Sequence, residues 1–305
     1  MPTTFTGGDL KVAASQSIVN ISETLLATQA FSTKVETSGL GEGDTTQVFV
    51  VGEVPDAENF DREGNNYMTD NGGAHAWKDI KLSQHKKLTF RIKPQIFDKL
   101  STTDLANLYK PHVSKLCDAV IKSAFEEITA ANFSNFLDIP DLSKFDKNAA
   151  SQVETALAKL VGNGGERNLV LSMDGFSYLR ESLTGIYVSP TSDNALIQGS
   201  IQGIVGFQNV IRTTALKSVG VEKKKYLVGI ATNKSGLAMA FAHVPVTSRF
   251  DGDWEVVNDS VTGIPITFSV DYDKDNRDYV ATVEVLFGVG IADKKGILRL
   301  ITEVK

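Results

Sequence analysis

Between Ser101 and about Ala131, apolar residues recur every three or four positions: Leu105, Leu108, Tyr109, Val113, Leu116, Val120, Ala124 and Ile128. That spacing puts them on one helical face. Ser101 followed three residues later by Asp104 makes an N-terminal cap, and Pro111 is expected to kink the helix or mark its true start. A second periodic run, using Val153, Leu157 and Leu160, predicts a helix from about Lys147 to Val161, stopped by Gly162-Asn163-Gly164-Gly165. Weaker periodicity at Ile18, Ile21, Leu25 and Leu26 predicts a helix within residues 16–30. Residues 1–15 are rich in Thr, Gly and Ser and read as a flexible arm.

Period-two and continuous apolar runs predict strands. After the breakers Gly39-Leu40-Gly41-Glu42-Gly43 comes Thr45 to Val51, and Leu88-Thr89-Phe90-Arg91-Ile92 alternates cleanly. Residues 52–77 between them are polar, a loop length that is usually functional or mobile. The pieces together predict one long β-hairpin whose distal half leaves the core. Further strands are expected at Asn168 to Ser172, Val205 to Ile211, Tyr226 to Ala231, Val244 to Arg249, Ile264 to Val270, Tyr279 to Leu286 and Ile297 to Ile301, with Asp174 capping a short helix. No repeat or hydrophilic linker divides the chain.

Charge changes this picture at one place. The chain of 305 residues has a formal net charge of −6, so a general phosphate-binding surface is not expected. Along the predicted hairpin, however, the signs separate. Residues 53–70 carry Glu53, Asp56, Glu58, Asp61, Glu63 and Asp70 against Arg62 alone. Residues 78–93 carry Lys78, Lys81, Lys86, Lys87, Arg91 and Lys93 against Asp79 alone. Either the two limbs neutralise each other in solvent, or the arm docks on a complementary patch of another chain. Glu53, Asp56, Glu58, Asp61, Glu63, Lys78, Lys81, Lys86, Lys87 and Arg91 are the candidate inter-subunit contacts.

Catalytic signatures are missing from the sequence. It contains no phosphate-cradling G-x-x-x-x-G-K-[ST] and no H-E-x-x-H. A G-x-S-x-G elbow is likewise absent. The single cysteine, Cys117, can form no internal disulfide, and His75, His85, His112 and His243 lack ligand spacing. Asp271-Tyr272-Asp273-Lys274-Asp275-Asn276 begins like a calcium loop but has Asn276 where the loop needs glycine and Thr282 where it needs glutamate. It reads as a polar turn between strands. No catalytic residue, metal or cofactor is therefore expected. No signal peptide or membrane span is predicted either, which places the chain in a cytoplasm or in something assembled there.

The order of these parts resembles the major capsid proteins of tailed bacteriophages, the Hong Kong 97 fold. Local likenesses lie at Phe176-Ser177-Tyr178-Leu179-Arg180 and at Ile201-Gln202-Gly203-Ile204-Val205-Gly206-Phe207-Gln208-Asn209-Val210. Others lie at Asn233-Lys234-Ser235-Gly236-Leu237-Ala238-Met239-Ala240 and in the closing pair Val285 to Ile291 and Gly296 to Ile301. The resemblance implies an α+β fold. Residues 1–40 would form an N-terminal arm, and 41–93 an extended loop with base strands. Residues 94–146 with 241–305 would form a peripheral domain holding the spine helix, and 147–240 an axial domain. It implies a non-enzymatic subunit that assembles through pentamers and hexamers into an icosahedral virion shell in the bacterial cytoplasm. A separate scaffolding protein, a portal protein and packaged double-stranded DNA, contacted non-specifically, would be its partners. The alternatives are an encapsulating protein-compartment shell of the same fold and a soluble α/β enzyme.

Overall fold

The structure is a computed structural model that describes residues 7–18, 25–36, 40–51, 75–162, 166–183, 200–204, 206–218, 220–222, 225–245 and 252–303. Helices are α1 (Gly7–Ile18), α2 (Pro94–Phe97), α3 (Thr102–Glu126), α4 (Lys147–Val161) and α5 (Met173–Leu183). Strands β1 (Phe31–Glu36), β2 (Thr45–Val51), β3 (His75–Lys81) and β4 (Gln84–Ile92) precede α2 and α3. The strands β5 (Phe136–Asp138), β6 (Asn168–Ser172), β7 (Ser200–Ile204), β8 (Phe207–Thr213), β9 (Gly220–Glu222) and β10 (Lys225–Thr232) follow. The chain closes with β11 (Lys234–Ala242), β12 (Asp253–Asn258), β13 (Pro265–Asp273), β14 (Asp278–Ile291) and β15 (Ile297–Glu303).

Two mixed sheets and a two-stranded ribbon organise the molecule. The first sheet runs β1-β11-β14-β13-β12, with β4 also on β14. The second runs β5-β15-β10-β6-β8-β7, with β9 on β10. The ribbon is β2-β3. Strand β14 is the backbone of the first sheet: it pairs with β13 over 278–284, with β11 over 286–291 and with β4 over 279–287.

Helix α3 lies against the first sheet. Its N-terminus is a full capping box, in which Ser101 Oγ accepts from the Asp104 N–H and the Asp104 carboxylate accepts from the Ser101 N–H. Pro111 sits inside the helix without ending it. The predicted stripe is buried except Leu108, and Tyr109 is its centre, with no exposed surface. The Tyr109 ring meets Phe90 and Phe268 edge-on, each at 5.2 Å, and its hydroxyl donates to the Ser269 carbonyl at 3.0 Å. Lys86 reaches in from β4 and donates to Ser123 Oγ at 2.6 Å. Cys117 is buried in the same layer, where desolvation pushes its thiol far up and leaves it inert.

Several expectations change. Residues 7–18, most of them assigned to a flexible arm, are helical. Leu10, Ala13, Ala14 and Ile18 are buried at steps of three and four, and the two alanines let α1 lie close to α3. Of the helix expected within 16–30, residues 16–18 close α1 and residues 19–24 lie outside the described residues; a short 3₁₀ turn, Leu26–Ala30, leads into β1. Helix α3 ends at Glu126 rather than near Ala131. Asp174 lies in the first turn of α5 instead of ahead of it. Residues 244 and 245 belong to no strand, and 246–250 lie outside the described residues. Strands β11 and β12, not predicted, are in the first sheet.

Candidate subunit interface

The partner of β2 is β3, not the run 88–92. Phe49 stands opposite Trp77 and Thr46 opposite Ile80, while β4 leaves the ribbon and joins β14. Tertiary pairing decides this, because both runs have strand character and only one can lie beside β2. The ribbon is closed at its root by reciprocal bonds, Gly43 N–H to the Leu82 carbonyl at 2.7 Å and Leu82 N–H to the Asp44 carbonyl at 2.8 Å. Residues 52–74, with Glu53, Asp56, Glu58, Asp61 and Glu63, lie outside the described residues.

A floor of small side chains seats the ribbon. Strand β11 alternates Leu237, Met239 and Phe241 toward the main core with Ala238, Ala240 and Ala242 toward the ribbon. Opposite these alanines stand Gly290, Gly288 and Leu286 of β14. Val48, Val50, Ile80 and Leu82 fill the resulting space and are almost fully buried. Each such side chain contributes roughly 1.5–3 kcal/mol by burial. Backbone approaches so closely that a Cβ on Gly288 would lie 2.1 Å from the Lys81 carbonyl oxygen, and one on Gly290 2.4 Å from Ile80 Cδ1. The signal for this contact was in the sequence as glycines two apart in a strand and as an alternating large–small run, both marks of close approach.

The predicted basic contacts separate into two groups. Lys86 is spent inside the subunit on Ser123. Arg91 donates to Asp273 Oδ2 at 2.8 Å. Lys81 and Lys87 are exposed and Lys78 is half-buried, and none of the three has an ion pair among the described residues. Near the root, His85 Nε2 lies 2.7 Å from Glu284 and its Nδ1 3.8 Å from Glu42. Beside the ribbon, Glu36 accepts from Thr46 Oγ1 at 2.6 Å and pairs with Lys34 at 2.5 Å. Lys34 and then Thr46 hold its carboxyl below the usual range.

The calcium-like stretch forms the β13–β14 turn. The carboxylate of Asp273 accepts from Asn276 Nδ2 at 2.8 Å, from Arg91, and from the N–H groups of Asn276 and Asp275. Asn276 first and then Arg91 hold it well below the ordinary aspartate value of 3.8. Such a depressed group stabilises the fold above that ordinary value, and the contribution fades as pH falls through its own lower value. Thermal melts should therefore show Asp273→Ala less stable than the parent at pH 6, with the gap narrowing from about pH 4 downward as the carboxyl titrates. A gap that persists at low pH would mean the charge is irrelevant to the turn.

No helix among the described residues is long and apolar enough to cross a membrane. Among the same residues no three His, Cys, Asp or Glu side chains cluster as a metal site.

Comparison with known proteins gives no matching family model and no matching curated protein. Solved structures do match, over almost the whole chain. The capsid of a native GTA particle aligns with a TM-score of 0.53 at 12% identity, covering 92% of this chain and 91% of that one. The empty GTA particle's capsid gives 0.52 at 12% identity, covering 92% and 90%. The capsid of the cyanophage P-SCSP1u gives 0.51 at 10% identity, covering 90% and 87%. Identity this low carries the backbone arrangement alone, and on that ground the chain has the α+β Hong Kong 97 capsid fold.

Proposed function

We propose that the chain is a major capsid protein of a tailed-phage-type particle, a non-enzymatic subunit that tiles an icosahedral shell around double-stranded DNA. The observation that carries this reading is the match to phage and GTA capsids over about nine-tenths of both chains. The ribbon supports it: its root is fixed on the first sheet by β11 and β14, and it runs into a segregated acidic stretch. A rigidly seated arm of one sign beside free lysines suits contacts between neighbouring copies, which close into rings and then a shell.

On this reading residues 41–93 are the extended loop. Residues 94–146 and 241–305 form the peripheral domain, and 147–240 the axial domain. Glu53, Asp56, Glu58, Asp61 and Glu63 meet Lys78, Lys81 and Lys87 across subunit boundaries. Lys86 and Arg91, already engaged within the subunit, contribute there chiefly by holding β4. A scaffolding protein, a portal and non-specifically held DNA complete the particle, and its place is the virion.

Negative-stain microscopy and light scattering of the purified chain test this reading. The expected result is pentamers, hexamers or megadalton shells; a monomer or small oligomer at every concentration would overturn it. Shells should also loosen in molar salt, where screening acts within ~3 Å. Shells of unchanged stability in salt would remove the charged contacts from the account.

A further inference from the structure

A polar cleft lies where the pairing of β1 with β11 is interrupted. Phe31 stands opposite Lys234 but Ser32 opposite Ala238, so residues 235–237 have no counterpart on β1. The cleft holds about 330 Å³, at the lower end of the roughly 300–1,000 Å³ usual for ligand sites. Its polar lining comes from four places in the chain: Gln29 of the 3₁₀ turn, Thr33 of β1, Asn209 of β8 and Lys234 of β11, with Thr262 of the β12–β13 turn. Phe31 and Val261 add apolar wall. Lys234 has φ +68°, a left-handed backbone that is unusual outside glycine and that gathers at functional sites.

The hydrogen-bonding groups of this lining select a ligand class. Lys234, its charged member, is already paired with Glu166, which leaves the cleft close to neutral. Thr262 spends its hydroxyl proton on Asp259 at 2.6 Å, and Asn209 spends Nδ2 on Asn168 at 3.0 Å. Thr262 Oγ1 and Asn209 Oδ1 therefore remain as acceptors. Asn168 is fully buried behind Asn209, and its own Nδ2 has no partner among the described residues. A polar residue buried there at that cost fixes the Asn209 amide in one orientation. Gln29 and Thr33 have no side-chain partner among the described residues and can each donate and accept. Carboxylates and phosphates only accept, so they mismatch the set and meet no uncompensated cation. An ammonium group would face Lys234. Neutral hydroxyls match, since each can donate to one lining atom and accept from another, while Phe31 and Val261 meet C–H surface. We infer that the cleft binds one neutral sugar ring, free or at the end of a glycan. Its volume suits a single ring, and the assignment does not depend on the shell reading.

Saturation-transfer NMR and titration calorimetry on the purified full-length chain test this. The free rings are glucose, galactose, mannose and N-acetylglucosamine, the glycan end is maltotriose, and the charged controls are glucose 6-phosphate and glucuronate. At least one neutral sugar should bind in the millimolar range, with the charged controls severalfold weaker. Binding by a free ring or by maltotriose supports the assignment, and the tighter of the two identifies the source. Gln29→Ala and Thr33→Val should each weaken binding by up to about tenfold, the loss of one hydrogen bond. Together they should abolish it. Both variants should keep the parent's circular dichroism and melting temperature, because neither side chain is bonded within the described structure. No binding by any neutral sugar at tens of millimolar would overturn the assignment. So would tighter binding of the charged sugars, or a Gln29→Ala, Thr33→Val double variant that is folded and binds like the parent.

Discussion

Gly288→Ala is expected to lever the β2–β3 ribbon off the first sheet. The new methyl would fall 2.1 Å from the Lys81 carbonyl oxygen and 3.0 Å from Ile80 Cγ2. Its first neighbour is backbone, so no rotamer change relieves the clash, and either β14 or the ribbon must move. Overpacking of this kind costs about 1–3 kcal/mol, and more where backbone blocks relaxation. A fall of several degrees in melting temperature should follow. Faster amide hydrogen exchange over residues 45–50 and 77–82 should accompany it. Gly263→Ala is the contrast: Gly263 has φ +72° but nothing within 4 Å, so its cost is backbone strain alone, of order 1 kcal/mol. Equal behaviour of the two variants, with ribbon exchange unchanged, would show that the seat is not tight. Because the ribbon leads into the arm, Gly288→Ala should also assemble poorly even where the subunit remains folded.

Tyr109→Ala should be more damaging to the fold itself. The ring has no exposed surface and is wedged between Phe90 of β4 and Phe268 of β13, so it joins α3 to two strands that flank β14. Removing a buried ring costs roughly 3–5 kcal/mol through lost transfer energy and the cavity left behind. Tyr109→Phe keeps the ring and loses only the bond to the Ser269 carbonyl, a cost of about 1 kcal/mol. Burial also pushes the phenol's ionisation up, so the bond survives across the neutral and moderately alkaline range. Urea denaturation of the two variants separates packing from hydrogen bonding. If Tyr109→Ala costs no more than Tyr109→Phe, the ring does not hold these elements together.

Elements with strong local signals were read closely from sequence. Helix α4 and strand β6 match their predicted limits, and the Ser101–Asp104 cap is present. Periodicity and caps act over a single turn, so they can be read without knowing the fold. Errors fell where local signal is weak and packing supplies the energy. Helix α1 begins with two glycines and uses small alanines, a pattern that reads as flexible until α3 is beside it. Strand β11 carries alanine at every second position, poor as an isolated strand, yet those alanines are what the ribbon requires.

The interface was legible only in part. Charge segregation along residues 53–93 is a property of composition, and it pointed to an arm. Which bases stay available is a tertiary matter: β4 pairs with β14, and that carries Lys86 to Ser123 and Arg91 to Asp273. Phe49 and Trp77 could not be paired from sequence, since their contact depends on the register of β2 against β3.

By itself, the sequence determined the long capped helix, the strand-rich second half, the sign-separated arm and the lack of known catalytic signatures, because each is written in short-range spacing or residue type. Only the tertiary structure decided which strand lies beside β2, which lysines remain free and which face of the ribbon shows its rings. Those follow from non-local pairing, where burial of residues far apart in the chain chooses among strands of similar local propensity.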